Sequence, residues 1–189
     1  TDMHILTFDI EDWFHILDNE DTIGPAQWSK FPSRIEAGVD RLLNFCDKYQ
    51  LKATFFILGW IAETAPDIVA EIVRKGHEIA CHSNKHQLVF QQDKASFEFD
   101  LEAALINIEK ASGIRPTIYR APGFSITSQC LWAFDVLSKH GIKTDCSVFP
   151  APRAHGGLPH FSTSKPCLLY TQETKFLEIF PMSYREIFG

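Results

Sequence analysis

The chain has 189 residues, 45% of them apolar and 22% charged, with a formal net charge of −6. That length and apolar share predict a single soluble domain, residues 1–189, with room for a real core. The negative balance excludes nucleic acid as the main partner, because a phosphate backbone needs a basic face, and no stretch has the make-up of a membrane span or a signal peptide.

Short apolar runs alternate with helical patterns, which predicts β/α units around a mostly parallel sheet. Residues 4–8 (HILTF) are the first expected strand, so early that any targeting segment is either absent or removed. Residues 13–32 lack a clear period and hold Gly24, Pro25 and Pro32, which predicts a long loop. Ser33 and Glu36 have capping-box spacing and open a helix with Ile35, Val39, Leu42, Leu43 and Cys46 on its apolar face. Residues 53–58 make a buried strand. Pro66 opens a helix that Gly76 closes, with Ile68, Ile72 and Val73 inward. Residues 78–81 are the third strand.

A helix over 94–112 follows, stopped by Gly113, with Phe97, Leu101, Ala104, Leu105 and Ile108 inward. Residues 117–120 make a strand. Ser128 caps a helix running to about His140, and Gly141 ends it. Residues 143–149 make another strand. Residues 150–166 hold four of the ten prolines and form an irregular loop. Residues 176–180 are the last strand, and the short tail after it predicts a fold truncated at the C-terminus. The five cysteines, Cys46, Cys81, Cys130, Cys146 and Cys167, are odd in number and form no Cys-x-x-Cys pair, which predicts reduced thiols and a cytoplasmic setting. The sequence sets no oligomeric state.

In parallel β/α architectures, reactive residues gather at the carboxyl ends of strands. Asp9, Glu11 and Asp12 follow the first expected strand; His82 and His86, four apart, follow the third. Arg120 ends the fourth, and Asp145 lies in the next. Two imidazoles and a carboxylate are a common donor set for Zn²⁺ or another first-row divalent cation, with coordination positions left open.

These stretches resemble the motifs of polysaccharide deacetylases with a NodB-homology domain, carbohydrate esterase family 4. Thr7-Phe8-Asp9-Ile10-Glu11-Asp12 is similar to the family's first motif, and His82-Ser83-x-x-His86 to its second. Arg120-Ala121-Pro122-Gly123-Phe124 is similar to the third, and Asp145-Cys146-Ser147-Val148-Phe149-Pro150 stands where the fourth lies. The longer strings around Asp9 and Arg120 most resemble the branch associated with bacterial exopolysaccharide and surface-glycan gene clusters. The resemblance implies an irregular (β/α) barrel and hydrolysis of N-acetyl groups on a sugar or polysaccharide, releasing acetate. It implies Asp9 as general base, Arg120 as the partner that orients it, and a divalent cation held by His82, His86 and a carboxylate. Zinc is the default ion; cobalt, nickel or iron(II) can replace it.

Two departures from the family pattern stand out. The usual Asp-Asp of the first motif is broken by Ile10. Period-two alternation points Asp9 and Glu11 the same way, which favours Glu11 as the metal carboxylate, with Asp12 the alternative. The fifth motif, Leu-x-His, reads Leu177-Glu178-Ile179 here. The general acid then falls to His155 or His160 in the Pro/Gly-rich loop. Trp13, Phe14, Trp28, Phe90 and Phe124 are candidate sugar-stacking aromatics, and His15 is either a supporting residue or merely exposed. Two alternatives remain: a non-catalytic glycan-binding domain of the same fold, and a hydrolase of a small cyclic amide or an O-acetyl ester.

Overall fold

The computed structural model describes residues 5–18, 24–173 and 175–182. His4, in the first expected strand, and residues 19–23, in the expected loop, lie outside the described residues. The fold gathers into two units: residues up to His86 with Ala103–Pro116, and Gln87–Glu102 with the residues from Thr117 on.

In the first unit, β1 (Thr7–Ile10), β2 (Thr54–Ile57) and β3 (Glu78–Cys81) form a parallel ladder in that order. All four residues of β2 are buried, as expected for a central strand covered on both faces. The register sets Ile10 against Ile57 and Ile57 against Cys81. The three strands therefore end level, and Glu11, Leu58 and His82 leave the sheet together. The first strand starts three residues and ends two residues later than the pattern predicts, so Asp9 is inside it. Four helices complete this unit's local elements: α1 (Pro25–Trp28), α2 (Ile35–Tyr49), α3 (Gly59–Thr64) and α4 (Pro66–Arg74). α2 buries Ile35, Val39, Leu43 and Cys46, with Leu42 half-buried. α4 buries Ile68, Val69 and Ile72; Val73, expected inward, is half-buried.

The helix α5 (Lys94–Ser112) buries Phe97, Leu101, Ala104, Leu105 and Ile108, as its spacing predicts. In the second unit, β4 (Ile118–Tyr119), β5 (Thr144–Asp145) and β7 (Phe176–Ile179) pair in parallel, and β6 (Cys167–Tyr170) joins β7 antiparallel. α6 (Trp132–Lys139) buries Ala133, Phe134, Val136 and Leu137.

Several expected boundaries shift for local reasons. The Ser33–Glu36 capping box does not form: α2 starts at Ile35 with Arg34 at the cap position, and the Ser33 hydroxyl instead donates to Asp12 Oδ2 at 2.5 Å and accepts the Ile35 N–H at 3.3 Å. The expected loop 13–32 contains a 3₁₀ turn, Trp13–His15, and α1. Ser128 caps nothing; Thr127 closes a turn with Cys130, and α6 begins four residues after Ser128. The expected strand 143–149 keeps only two regular residues, since the Asp145 side chain turns the backbone at Ser147. α3 and β6 are additions that the apolar pattern does not signal. Among the described residues no helix is long and apolar enough to cross a membrane, and all five cysteines are free thiols.

Candidate active site

Three donor atoms converge where β1 and β3 end. Glu11 Oε1 lies 3.3 Å from His82 Nε2 and 3.2 Å from His86 Nε2. The three ligand atoms all fall within 4.8 Å of one another, and both imidazoles are buried. Two ligands bound at about 2.0–2.1 Å to one tetrahedral cation stand about 3.3 Å apart, so this spacing fits such an ion. A second observation agrees. Neither ring nitrogen of buried His86 makes a hydrogen bond, although Nε2 is close to Glu11; the approach is misaligned for one. Buried nitrogens rarely go unmatched, and a shared cation supplies the missing partner. Burial pushes the Glu11 carboxyl up, but the adjacent His82 and His86 imidazoles outweigh it and hold the group well below the usual carboxylate range. The carboxylate is therefore ionised and ready to ligate.

The loop that carries the histidines is built to aim them. Ser83 and His86 both take positive φ, 63° and 53°, an uncommon conformation for side chains with a Cβ. The Ser83 hydroxyl holds the turn by accepting the His86 N–H at 3.0 Å. From the other side, the Gly59 and Trp60 N–H groups that open α3 donate to the Ser83 and Asn84 carbonyls. This contact needs glycine at position 59: a Cβ there would sit 2.3 Å from Asn84 Oδ1 and 2.6 Å from Ala104 Cα.

Asp9 and Glu11 do point the same way, since Asp9 Oδ2 also approaches His82 Nε2, at 4.0 Å. Asp12, the alternative carboxylate, is engaged elsewhere. It is buried; its oxygens accept from the Trp13 and Arg34 N–H groups and from the Ser33 hydroxyl. It forms a reciprocal cap with His15, whose Nδ1 accepts the Asp12 N–H at 2.9 Å. His15 is not exposed. It is packed among Phe14, Trp28 and Trp60, with its ring centroid 6.5 Å from that of His86. Burial, then the nearby His86 charge, pushes its pKa down to about 4. Trp60 escaped the sequence reading, though the strand-end rule that selected Glu11 and His82 also selects the residues just after β2.

In the second unit, Arg120 follows β4. Its Nε donates to the Cys146 carbonyl at 3.4 Å, and its guanidinium lies 5.8 Å from the Phe124 ring centroid. Asp145 is fully buried and accepts the Ser147 N–H and hydroxyl at 2.9 and 2.6 Å. The same hydroxyl accepts the Ala121 N–H at 2.8 Å, tying the turn after Arg120 to the end of β5. Burial pushes the Asp145 carboxyl up to about 7 against the opposing pull of Ser147 and Arg120. His155 is half-buried in a turn closed by an Arg153–Gly156 bridge. His160 is exposed and lines a cavity with Leu131, Phe134 and Tyr170. Phe90 and Phe124 are half-buried.

Comparison with known proteins agrees with these motifs. The family model described as polysaccharide deacetylase matches residues 3–144. The peptidoglycan deacetylase of Helicobacter pylori is 33% identical over 113 residues, covering 60% of this chain and 38% of that protein. A Mycobacterium smegmatis crystal structure carrying the name polysaccharide deacetylase superposes with a TM-score of 0.74 at 22% identity, over 95% of this chain and 58% of that one. The family 4 carbohydrate esterase of Streptomyces lividans, solved with acetate, gives 0.56 at 26% identity, over 75% and 60%. The chain thus spans well under half the length of its H. pylori relative. The match takes in Asp9, Glu11, both histidines and Arg120, and it places this chain in the polysaccharide deacetylase family, with that family's mixed α/β fold.

Proposed function

We propose that this chain hydrolyses N-acetyl groups on a sugar or polysaccharide, with a divalent cation held by Glu11, His82 and His86. The observation that carries this reading is the convergence of half-buried Glu11 with two buried imidazoles, with Asp9 beside them. The donor set suits zinc, with cobalt, nickel and iron(II) as replacements. When bound, such an ion polarises an acetamide carbonyl and makes water easier to deprotonate. A relative named for peptidoglycan deacetylation and a neighbour solved with acetate support an acetylated glycan as substrate.

The side chains supply the rest of the chemistry. Asp9, exposed at its strand end, takes a proton from the attacking water as its oxygen bonds to the acetyl carbon. General base catalysis of this kind contributes about 10²–10⁴-fold. The carbon–nitrogen bond then breaks, the sugar amine leaves with a proton, and acetate is released. We assign the donation of that proton to His155, and the orientation of Asp9 to Arg120 from its motif.

The test is acetate release from N-acetylated oligosaccharides by the zinc-loaded chain. The reading predicts turnover that a chelator abolishes and that Asp9→Asn reduces by about 10²-fold or more while retaining the metal. Full activity in Asp9→Asn, or turnover indifferent to chelation, contradicts it. His155→Ala should lower kcat and remove one limb of the pH–rate profile; an unaltered profile removes His155 from the mechanism.

A further inference from the structure

Gly38 lies inside α2, where glycine weakens a helix relative to alanine. Nothing in the fold demands it. Its φ is not positive, and an added Cβ would meet no atom within 4 Å. It shares a helix face with Arg34, four residues before, and Arg41, three after. All three line a cavity of about 860 Å³, within the size range of ligand sites. Trp28 and Trp60 line the same cavity. Among the described residues neither arginine has an ion-pair partner, and the sole acidic residue on the lining is Glu36. A bare stretch of helix, two exposed guanidinium forks without an acidic partner among the described residues, and an aromatic wall together define a seat for an anionic ring compound.

We propose that this cavity binds a carboxylate-bearing sugar unit of the glycan. Arg34 and Arg41 grip the carboxylate, Gly38 lets the ring approach the helix backbone, and the tryptophans pack against its apolar edge. The guanidinium fork matches a carboxylate with two parallel hydrogen bonds, and backbone close to a ligand is a standard use of glycine. The cavity adjoins the candidate active site. His15 packs against both Trp28 and Trp60 and faces His86 across 6.5 Å. A chain lying over the trio can thus place a neighbouring unit here. The assignment of a glycan rests on the deacetylase reading; the preference for a carboxylate does not.

The experiment is calorimetric titration of the full chain with trigalacturonate and, separately, with neutral chitotriose. The acidic trimer should bind about tenfold or more tightly than the neutral one, one charge-assisted contact being worth about that factor. The preference should shrink at high salt. Arg34→Gln/Arg41→Gln should abolish the preference at unchanged metal content. Gly38→Leu should abolish binding of the acidic trimer without lowering the thermal midpoint, which separates a filled seat from a damaged fold. His82→Ala should keep the preference, since binding needs no turnover; a failed deacetylation assay therefore leaves this result readable. Equal binding of the two trimers, or a preference intact in the double arginine variant, overturns the proposal.

Discussion

At the scale of single residues, two adjacent carboxylates have different work. Glu11 meets both imidazoles, whereas Asp12 is used up by the backbone of the 3₁₀ turn and of Arg34. Glu11→Gln should therefore weaken zinc binding by more than the roughly 10–100-fold typical of losing an outer partner. Asp12→Asn should retain zinc and lower stability by about 1–3 kcal/mol, the cost of disturbing buried hydrogen bonds. Zinc titration and urea unfolding of the two variants check this; the reverse pattern makes Asp12 the ligand. His15 makes a separate prediction. Its folded pKa of about 4 lies below the ordinary 6.5, so between those values the unfolded chain takes up the proton first. Stability is then fully present above about pH 6.5 and falls as the pH drops toward 4, by an amount on the order of 3 kcal/mol. His15→Gln should flatten that slope in metal-free protein; an unchanged slope removes His15 as its source. Period-two alternation favoured Glu11 in the sequence, and the structure sets its carboxylate oxygen beside both imidazoles. The role of Asp12 was not legible there, because its partners Ser33 and Arg34 lie more than twenty residues away and their own spacing suggested a helix cap.

Among the elements, the turn 82–86 is the critical piece. It has two positive-φ residues, held by the Ser83 hydroxyl and by the start of α3. Gly59→Ala places a methyl group against Asn84 and the α5 backbone. It should cost about 1–3 kcal/mol as overpacking does, and weaken metal binding with it, because the displaced turn carries both histidines. Thermal unfolding and zinc affinity measured on the same variant check this; a loss of stability at unchanged affinity uncouples α3 from the site. The sequence announced β2 and β3 by their apolar runs and α2, α4 and α5 by their 3.6-residue spacing. It was silent on α3, which has only six residues and directly follows a buried strand, so its apolar residues merge with the run before it. β6 was hidden for another reason: it is half exposed, follows Pro166, and pairs with a strand downstream.

For the whole molecule, alternation of strand and helix was enough to predict an α/β fold, and the ordered motifs were enough to name the family before any coordinates. Distances could not be read that way. Four-residue spacing between His82 and His86 is compatible with many geometries; only the left-handed turn brings both Nε2 atoms to one carboxylate oxygen. The general acid was also not legible, because Ile179 stands where the family's Leu-x-His motif carries its histidine. The account stands on one centre, a cation gripped by Glu11, His82 and His86. Its most direct test is elemental analysis of the chain purified without chelator and then equilibrated with zinc, alongside His82→Ala and His86→Ala. The account predicts one tightly held divalent ion per chain and its loss in both variants. An empty wild-type chain under saturating zinc, or full occupancy in the variants, would contradict it.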